Sequence, residues 1–155
     1  MPRFEDTIDV EVPVRVAYDQ WTQFEDFPNF MDGVESVTQQ DDKTLNWTAK
    51  IAGQTKEWTA EITDQTPDRR IAWKSTSGAK NAGAVLFESA GPEQTRITLR
   101  VDADPEGPIE TLGANLGFLE GQVKGDLRRF KDYIETRAVP SGAWRGEIHG
   151  EKITR

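Results

Sequence analysis

Apolar and polar residues alternate over most of the first hundred positions, and the rhythm then becomes helical. Ile8, Val10 and Val12 share one phase and Asp9 and Glu11 the other, so Phe4 to Val12 reads as a half-buried strand. Pro13 stands where a first helical residue tolerates proline. Val14, Ala17, Tyr18 and Trp21 follow at helical spacing and predict a short amphipathic helix over Pro13 to Thr22. Phe24, Phe27 and Phe30 recur around Pro28, which predicts a second short helix or turn over something apolar. With Met31 they offer either a plug for one end of a sheet or, the rarer arrangement, an aromatic gate.

From Gly33 the period is two. Val34 and Val37 mark a strand, and Gln40-Asp41-Asp42-Lys43 a hairpin turn. Leu45, Trp47, Ala49 and Ile51 alternate with Asn46, Thr48 and Lys50. Past Gly53-Gln54, Trp58, Ala60 and Ile62 alternate with Glu57, Thr59 and Glu61. Pro67-Asp68 turns the chain into Ile71, Trp73 and Ser75, and Ser77-Gly78 opens a loop. Ala82 to Glu88 is the sixth strand, and after Gly91-Pro92 comes the seventh, with Ile97, Leu99 and Val101 on its apolar phase. Short turns between successive strands imply antiparallel pairing. A sheet apolar on one face needs a cover.

The cover is C-terminal. Beyond a linker, Asp104 to Pro108, the apolar set Leu112, Leu116, Leu119, Val123, Leu127, Phe130 and Ile134 forms one helical stripe, roughly 40 Å long at 1.5 Å per residue. Glu110 lies early, and Arg128, Arg129, Lys131 and Arg137 lie late, as the helix dipole favours. These patterns predict an α+β domain over residues 1–139 and a polar tail over 140–155, anchored by Trp144 and expected to be mobile at its end.

Composition narrows the function. Leu, Ile, Val and Phe make up only about a fifth of the 155 residues, near the level at which highly charged chains stay unfolded. Here they concentrate on inward phases, and five tryptophans add apolar volume. A domain this long with so few core residues points to an unfilled interior. The net charge of −8 argues against nucleic-acid binding, which needs clustered Lys and Arg. There is no cysteine and a single histidine, so thiolate chemistry and His-based metal sites are not expected. No cofactor is expected. No apolar run approaches the length of a membrane span, and the first residues are charged rather than leader-like. The expected location is cytoplasmic.

The order of elements resembles the helix-grip fold of START and birch-pollen-allergen-like domains, and most of all the bacterial polyketide cyclase/dehydrase-like family within that superfamily. The resemblance rests on Val14-Arg15-Val16-Ala17-Tyr18-Asp19-Gln20-Trp21, Phe24-Glu25-Asp26-Phe27-Pro28-Asn29-Phe30-Met31, Pro67-Asp68-Arg69-Arg70-Ile71-Ala72-Trp73 and Val123-Lys124-Gly125-Asp126-Leu127-Arg128-Arg129-Phe130-Lys131. It covers about residues 3–137. It implies a curved seven-stranded antiparallel sheet wrapped around the long helix, two short helices after the first strand, and a cavity for a small apolar ligand. The family's cyclases place polar side chains in that cavity, but no such set maps onto this chain.

Candidate ligand-binding residues are therefore the inward-phase Trp21, Phe30, Trp47, Trp58, Trp73, Phe87 and Leu99, with Leu112, Leu116 and Val123 of the helix. Each also suits plain core packing, the commoner role of large aromatics. Gly113, Gly117, Gly121 and Gly125 recur every four residues along the helix. Together they cost on the order of 3–4 kcal/mol in helix propensity, and they form a strip beside the leucines, either a cavity entrance or a contact for the tail or a second subunit. Arg96, Arg100, Glu57, Glu61 and Asp41-Asp42 read as solvated. No catalytic residue is assigned. The leading expectation is a binding module for a small hydrophobic or aromatic ligand such as a lipid, polyketide or quinone. The alternatives are a polyketide aromatase/cyclase or dehydratase in the same cavity, or an interaction protein, such as a homodimer, with the cavity collapsed.

Overall fold

The computed structural model describes residues 3–51, 53–103 and 109–154, with side chains for all of these except 51 and 109–119. Strand β1 (Arg3–Val10) leads into helix α1 (Val14–Trp21) and a 3-10 helix (Phe24–Asn29). Six strands follow: β2 (Val34–Gln39), β3 (Thr44–Ile51), β4 (Gln54–Thr66), β5 (Arg70–Gly78), β6 (Asn81–Gly91) and β7 (Gln94–Ala103). Helix α2 (Ile109–Arg137) comes next, then two short strands, β8 (Glu147–His149) and β9 (Lys152–Thr154).

The sheet runs β1-β7-β6-β5-β4-β3-β2, and every pairing is antiparallel. Strands β1 and β2 are consecutive strands yet lie at opposite edges, so α1 and the 3-10 helix span the width of the sheet between them. The helix-grip expectation holds, with nine strands among the described residues where seven were expected. Pro13 caps α1 rather than opening it, its carbonyl accepting from the amides of Val16 and Ala17.

The extra strands come from the tail. Beyond the end of its pairing with β3 at Glu61, β4 continues and offers a free edge at Asp64 and Gln65. Strand β8 takes that edge, and β9 pairs with β8. Ile148, the middle residue of β8, is completely buried. An end expected to be mobile is a hairpin seated on the sheet, joined to it by the vacant edge of β4 and by the buried Ile148.

The core is thickest under α1. Trp21, only 1% exposed, meets Phe27, Phe30, Phe87 and Phe130 at centroid distances of 5.8, 6.0, 6.1 and 4.7 Å. The C-terminal half of α2 brings Val123, Leu127, Phe130 and Ile134 onto it, each worth roughly 1.5–3 kcal/mol on full burial. Phe24, Phe27, Phe30 and Met31 are all buried. The cluster is therefore a plug, not an exposed gate.

Candidate functional site

The inward face of the sheet changes character from one end to the other. In the row beneath the plug, Ile97 and Phe87 pair across strands and are buried. In the next, Asp6, Leu99, Val85 and Ile71 are in register, and the three apolar members are 3% exposed or less. In the third, Phe4, Val101, Gly83 and Trp73 are in register, and all four are only half-buried. Trp58 is half-buried as well. The sheet thus has a closed end and an end where large apolar side chains point inward without being fully covered.

Gly83 shapes that second end. A Cβ there would lie 2.5 Å from the Trp73 ring and 2.7 Å from the carbonyl oxygen of Arg100. Glycine lets the Trp73 indole pack directly against the β6 backbone, an approach a Cβ would obstruct. Trp47 and Trp58, paired across β3 and β4, stack with centroids 5.5 Å apart and planes 12° apart. Trp47 also lies 5.6 Å from Phe27, so the stack runs from the plug to the half-covered end. Both indole nitrogens, Trp47 Nε1 and Trp58 Nε1, are buried and have no hydrogen-bond partner. Buried donors are satisfied in the great majority of cases, which makes two adjacent exceptions a feature to explain.

The other expected residues separate by position. Trp21, Phe30 and Phe87 belong to the plug, while Leu99 and Val123 lie buried between the two ends. Leu112, Gly113, Leu116 and Gly117 lie in the part of α2 of which only the backbone is described. Gly121 is exposed and faces open space. At Gly125 a Cβ would lie 2.9 Å from the Arg129 guanidinium, which lies across the glycine to reach its partners. Arg96 and Arg100 face outward, paired with Asp9 at 3.0 Å and Glu5 at 2.7 Å. Asp41 accepts from the amides of Lys43 and Thr44 and shapes its turn.

Several polar residues escaped the sequence reading. Asp6 shares the phase of Ile8 and Val10, so strict alternation already placed it inward. Asp126 on α2 is buried against the loop after the 3-10 helix. It accepts from Arg129 Nη2 at 2.7 Å, and from the Asp32 amide and the Gln122 side chain. Arg129 Nε also donates to the carbonyl of Phe30 at 2.9 Å. Burial outweighs these donors and pushes the Asp126 carboxyl up to about 6. Asp19 and Gln20 of α1 are buried because the tail covers them. Arg145 reaches Asp19 at 2.6 Å and Asp68 at 2.8 Å and lies over the Tyr18 ring, and the Ser141 amide donates to Gln20. Tyr18 accepts from Gln65, and burial pushes its phenol up to about 12. Asp6 apart, no spacing rule could reveal these, since the burial of each depends on a segment remote in sequence.

On the outside, Asn29, Arg129, Asp132, Tyr133, Thr136 and Arg137 line an open groove of about 340 Å³. Among the described residues no cluster of His, Asp or Glu is suited to a metal ion. None of the described helices is long and apolar enough to cross a membrane.

Comparison with known proteins agrees with this architecture. The chain is 46% identical, over 149 residues, to an uncharacterized 17.2 kDa protein from the melC2–rnhH intergenic region of Streptomyces lincolnensis, covering 96% of this chain and 99% of that one. A crystal structure of DR_A0006 from Deinococcus radiodurans superposes with a TM-score of 0.70 at 28% identity, covering 88% of this chain and 99% of that one. The Zhui aromatase/cyclase of a Streptomyces species shares the fold, with a TM-score of 0.75 at 16% identity over 92% of this chain and 99% of that one. Residues 10–132 match a family model described as polyketide cyclase/dehydrase and lipid transport. With a helix-grip sheet, a plugged end and an incompletely covered aromatic end, the chain belongs to the polyketide cyclase/dehydrase and lipid transport family.

Proposed function

We propose that the protein binds a small apolar or aromatic ligand between the sheet and α2, at the end lined by Trp58, Trp73, Val101 and Phe4. One observation carries this reading: these large inward-facing side chains stay half-buried, while two rows away the same face is fully closed. Exposed apolar surface in a concave setting is the usual mark of a ligand site. Topology agrees, since β7 ends on this side at Ala103 and α2 begins soon after at Ile109. The family description, which covers both cyclases and lipid transport, is compatible with such a site.

The test is uptake of N-phenyl-1-naphthylamine, an uncharged dye that brightens in apolar surroundings. Saturable binding of one dye per chain is expected, weakened about tenfold by Trp73→Ala through loss of an aromatic wall. Saturation that Trp73→Ala leaves unchanged would place the dye elsewhere.

Asp6 favours a second reading, turnover of a ketone-bearing chain in the same cavity. It is a carboxylate within the inward row, opposite Leu99. Under that reading Asp6→Asn keeps dye binding and abolishes conversion of a poly-ketone substrate, whereas a pure binder shows no conversion at all.

A further inference from the structure

We infer that the hairpin of β8 and β9 is held on the sheet by a pH-sensitive latch, in which the protonated ring of His149 ties β8 to β4. Docking tightens when the ring is charged and loosens as it loses its proton. The latch operates whether or not a ligand occupies the space between the sheet and α2.

His149 is the only histidine of the chain. It lies in β8 directly opposite Asp64 of β4. Its Nδ1 is 2.9 Å from Asp64 Oδ1, and its Nε2 is 3.0 Å from Glu147 Oε1. A neutral imidazole has one N–H and one bare lone pair. It can donate to only one of these carboxylates and must turn a lone pair toward the other. The imidazolium donates to both, so the bridge seen here is that of the charged ring.

The other charges around the ring do not undo this. Arg70 of β5 takes the second oxygen of Asp64 at 3.3 Å and leaves the first to His149. Lys152, the cross-strand partner of His149 on β9, opposes a charged ring. Lys43 is engaged elsewhere, with the Gly150 carbonyl, Glu61 and Glu151. The hydrogen bond to Glu147, and after it the one to Asp64, hold the ring above the ordinary histidine value, against a smaller effect of desolvation. A group raised in this way supports the docked form fully below its ordinary value of 6.5 and loses that effect as pH rises through the raised value.

The bridge sits where it has leverage. Strand β8 meets β4 through the pairs Asp64–His149 and Gln65–Ile148, with the Gly150 amide donating to the Thr63 carbonyl just beyond. Ile148 points into the core, and Glu147 and His149 stand on the exposed side. In so short a ladder one titrating contact is a sizeable share of the local stability. Release would uncover the edge of β4 and the seat of Ile148, a strand edge open to pairing.

The test follows amide hydrogen exchange of the full-length protein by NMR between about pH 5.5 and pH 8.5, the range of histidine titration. Each rate is divided by the intrinsic rate at that pH. The Gly150 amide and those of β8 should lose about two- to fivefold in protection across the ring's titration, the worth of an exposed ion pair. Amides of the β6–β7 ladder are the reference, and they register any effect of Asp126 on the whole fold. The imidazole resonance of His149 gives the ring's midpoint in the same samples, expected above about 6.5. His149→Gln should show at every pH the protection that the wild type has at the alkaline end. His149→Lys, a cation throughout, should also remove the pH dependence. Wild-type tail protection that follows the reference at every pH would overturn the inference. A pH dependence that persists in both variants, or a ring midpoint at or below about 6.5, would overturn it too.

Discussion

Asp126 illustrates how a single side chain acquires its properties from its setting. In sequence it is one of many acidic residues on a helix surface. In the fold it lies under the loop at Asp32 and Gly33, holds Arg129, and has its carboxyl raised to about 6 by burial. A carboxyl whose folded value exceeds its unfolded one binds more protons in the native state. It therefore favours folding at low pH, and this contribution is lost as pH rises from about 4 through 6. The shift corresponds to about 3 kcal/mol. Asp126→Asn should remove that slope: relative to the variant, the wild type loses on the order of 3 kcal/mol between pH 4 and pH 7. Urea unfolding midpoints across that range measure it, and parallel profiles would show that Asp126 titrates normally. The sequence marks Trp47, Trp58 and Trp73 as inward by alternation alone. It does not show that two of their N–H groups go unpaired, since that depends on what the neighbouring strands place beside them.

Among the elements, α2 shows most clearly what periodicity can and cannot deliver. The stripe Val123, Leu127, Phe130 and Ile134 is buried as its spacing requires. The glycine strip beside it has no single role where it is described. Gly121 faces open space, whereas Gly125 leaves room for the Arg129 guanidinium on its way to Phe30 and Asp126. Gly121→Ala should therefore stabilise the protein by about 0.5–1 kcal/mol, the ordinary gain in helix propensity. Gly125→Ala should gain nothing, because its methyl group displaces Arg129 from the loop. Thermal unfolding of the two variants distinguishes them. A loss at Gly121 would mean that a methyl group there is not accommodated in open space. The 3-10 helix is the converse case: its phenylalanine spacing was legible, but only the crossing from one sheet edge to the other made it a plug.

At the scale of the molecule, the tail joins parts that sequence analysis treats separately. Arg145 connects Asp19 on α1 to Asp68 in the β4–β5 turn, Ser141 donates to Asp26 and accepts from Gln20, and Ile148 fills a seat beside β4. Asp19 is 5% exposed, so removing Arg145 leaves a nearly buried charge with only the longer, 3.7 Å contact to the exposed Arg15. Arg145→Ala should cost about 2 kcal/mol, less than for a fully buried pair because Arg145 itself retains some solvent contact. Chemical denaturation measures it, and an unchanged midpoint would show that water replaces the guanidinium at no cost. The chain's own order of residues determined the strands, the long helix, the inward rows and an acidic outer surface, because period two and period 3.6 are local properties of backbone geometry. Only the tertiary structure decided that the plug closes one end and leaves the other half-covered, that the tail becomes strands, and that Asp19, Asp126 and the indole nitrogens of Trp47 and Trp58 are buried. Those outcomes depend on contacts between segments far apart in sequence, and no local pattern encodes the distance between them.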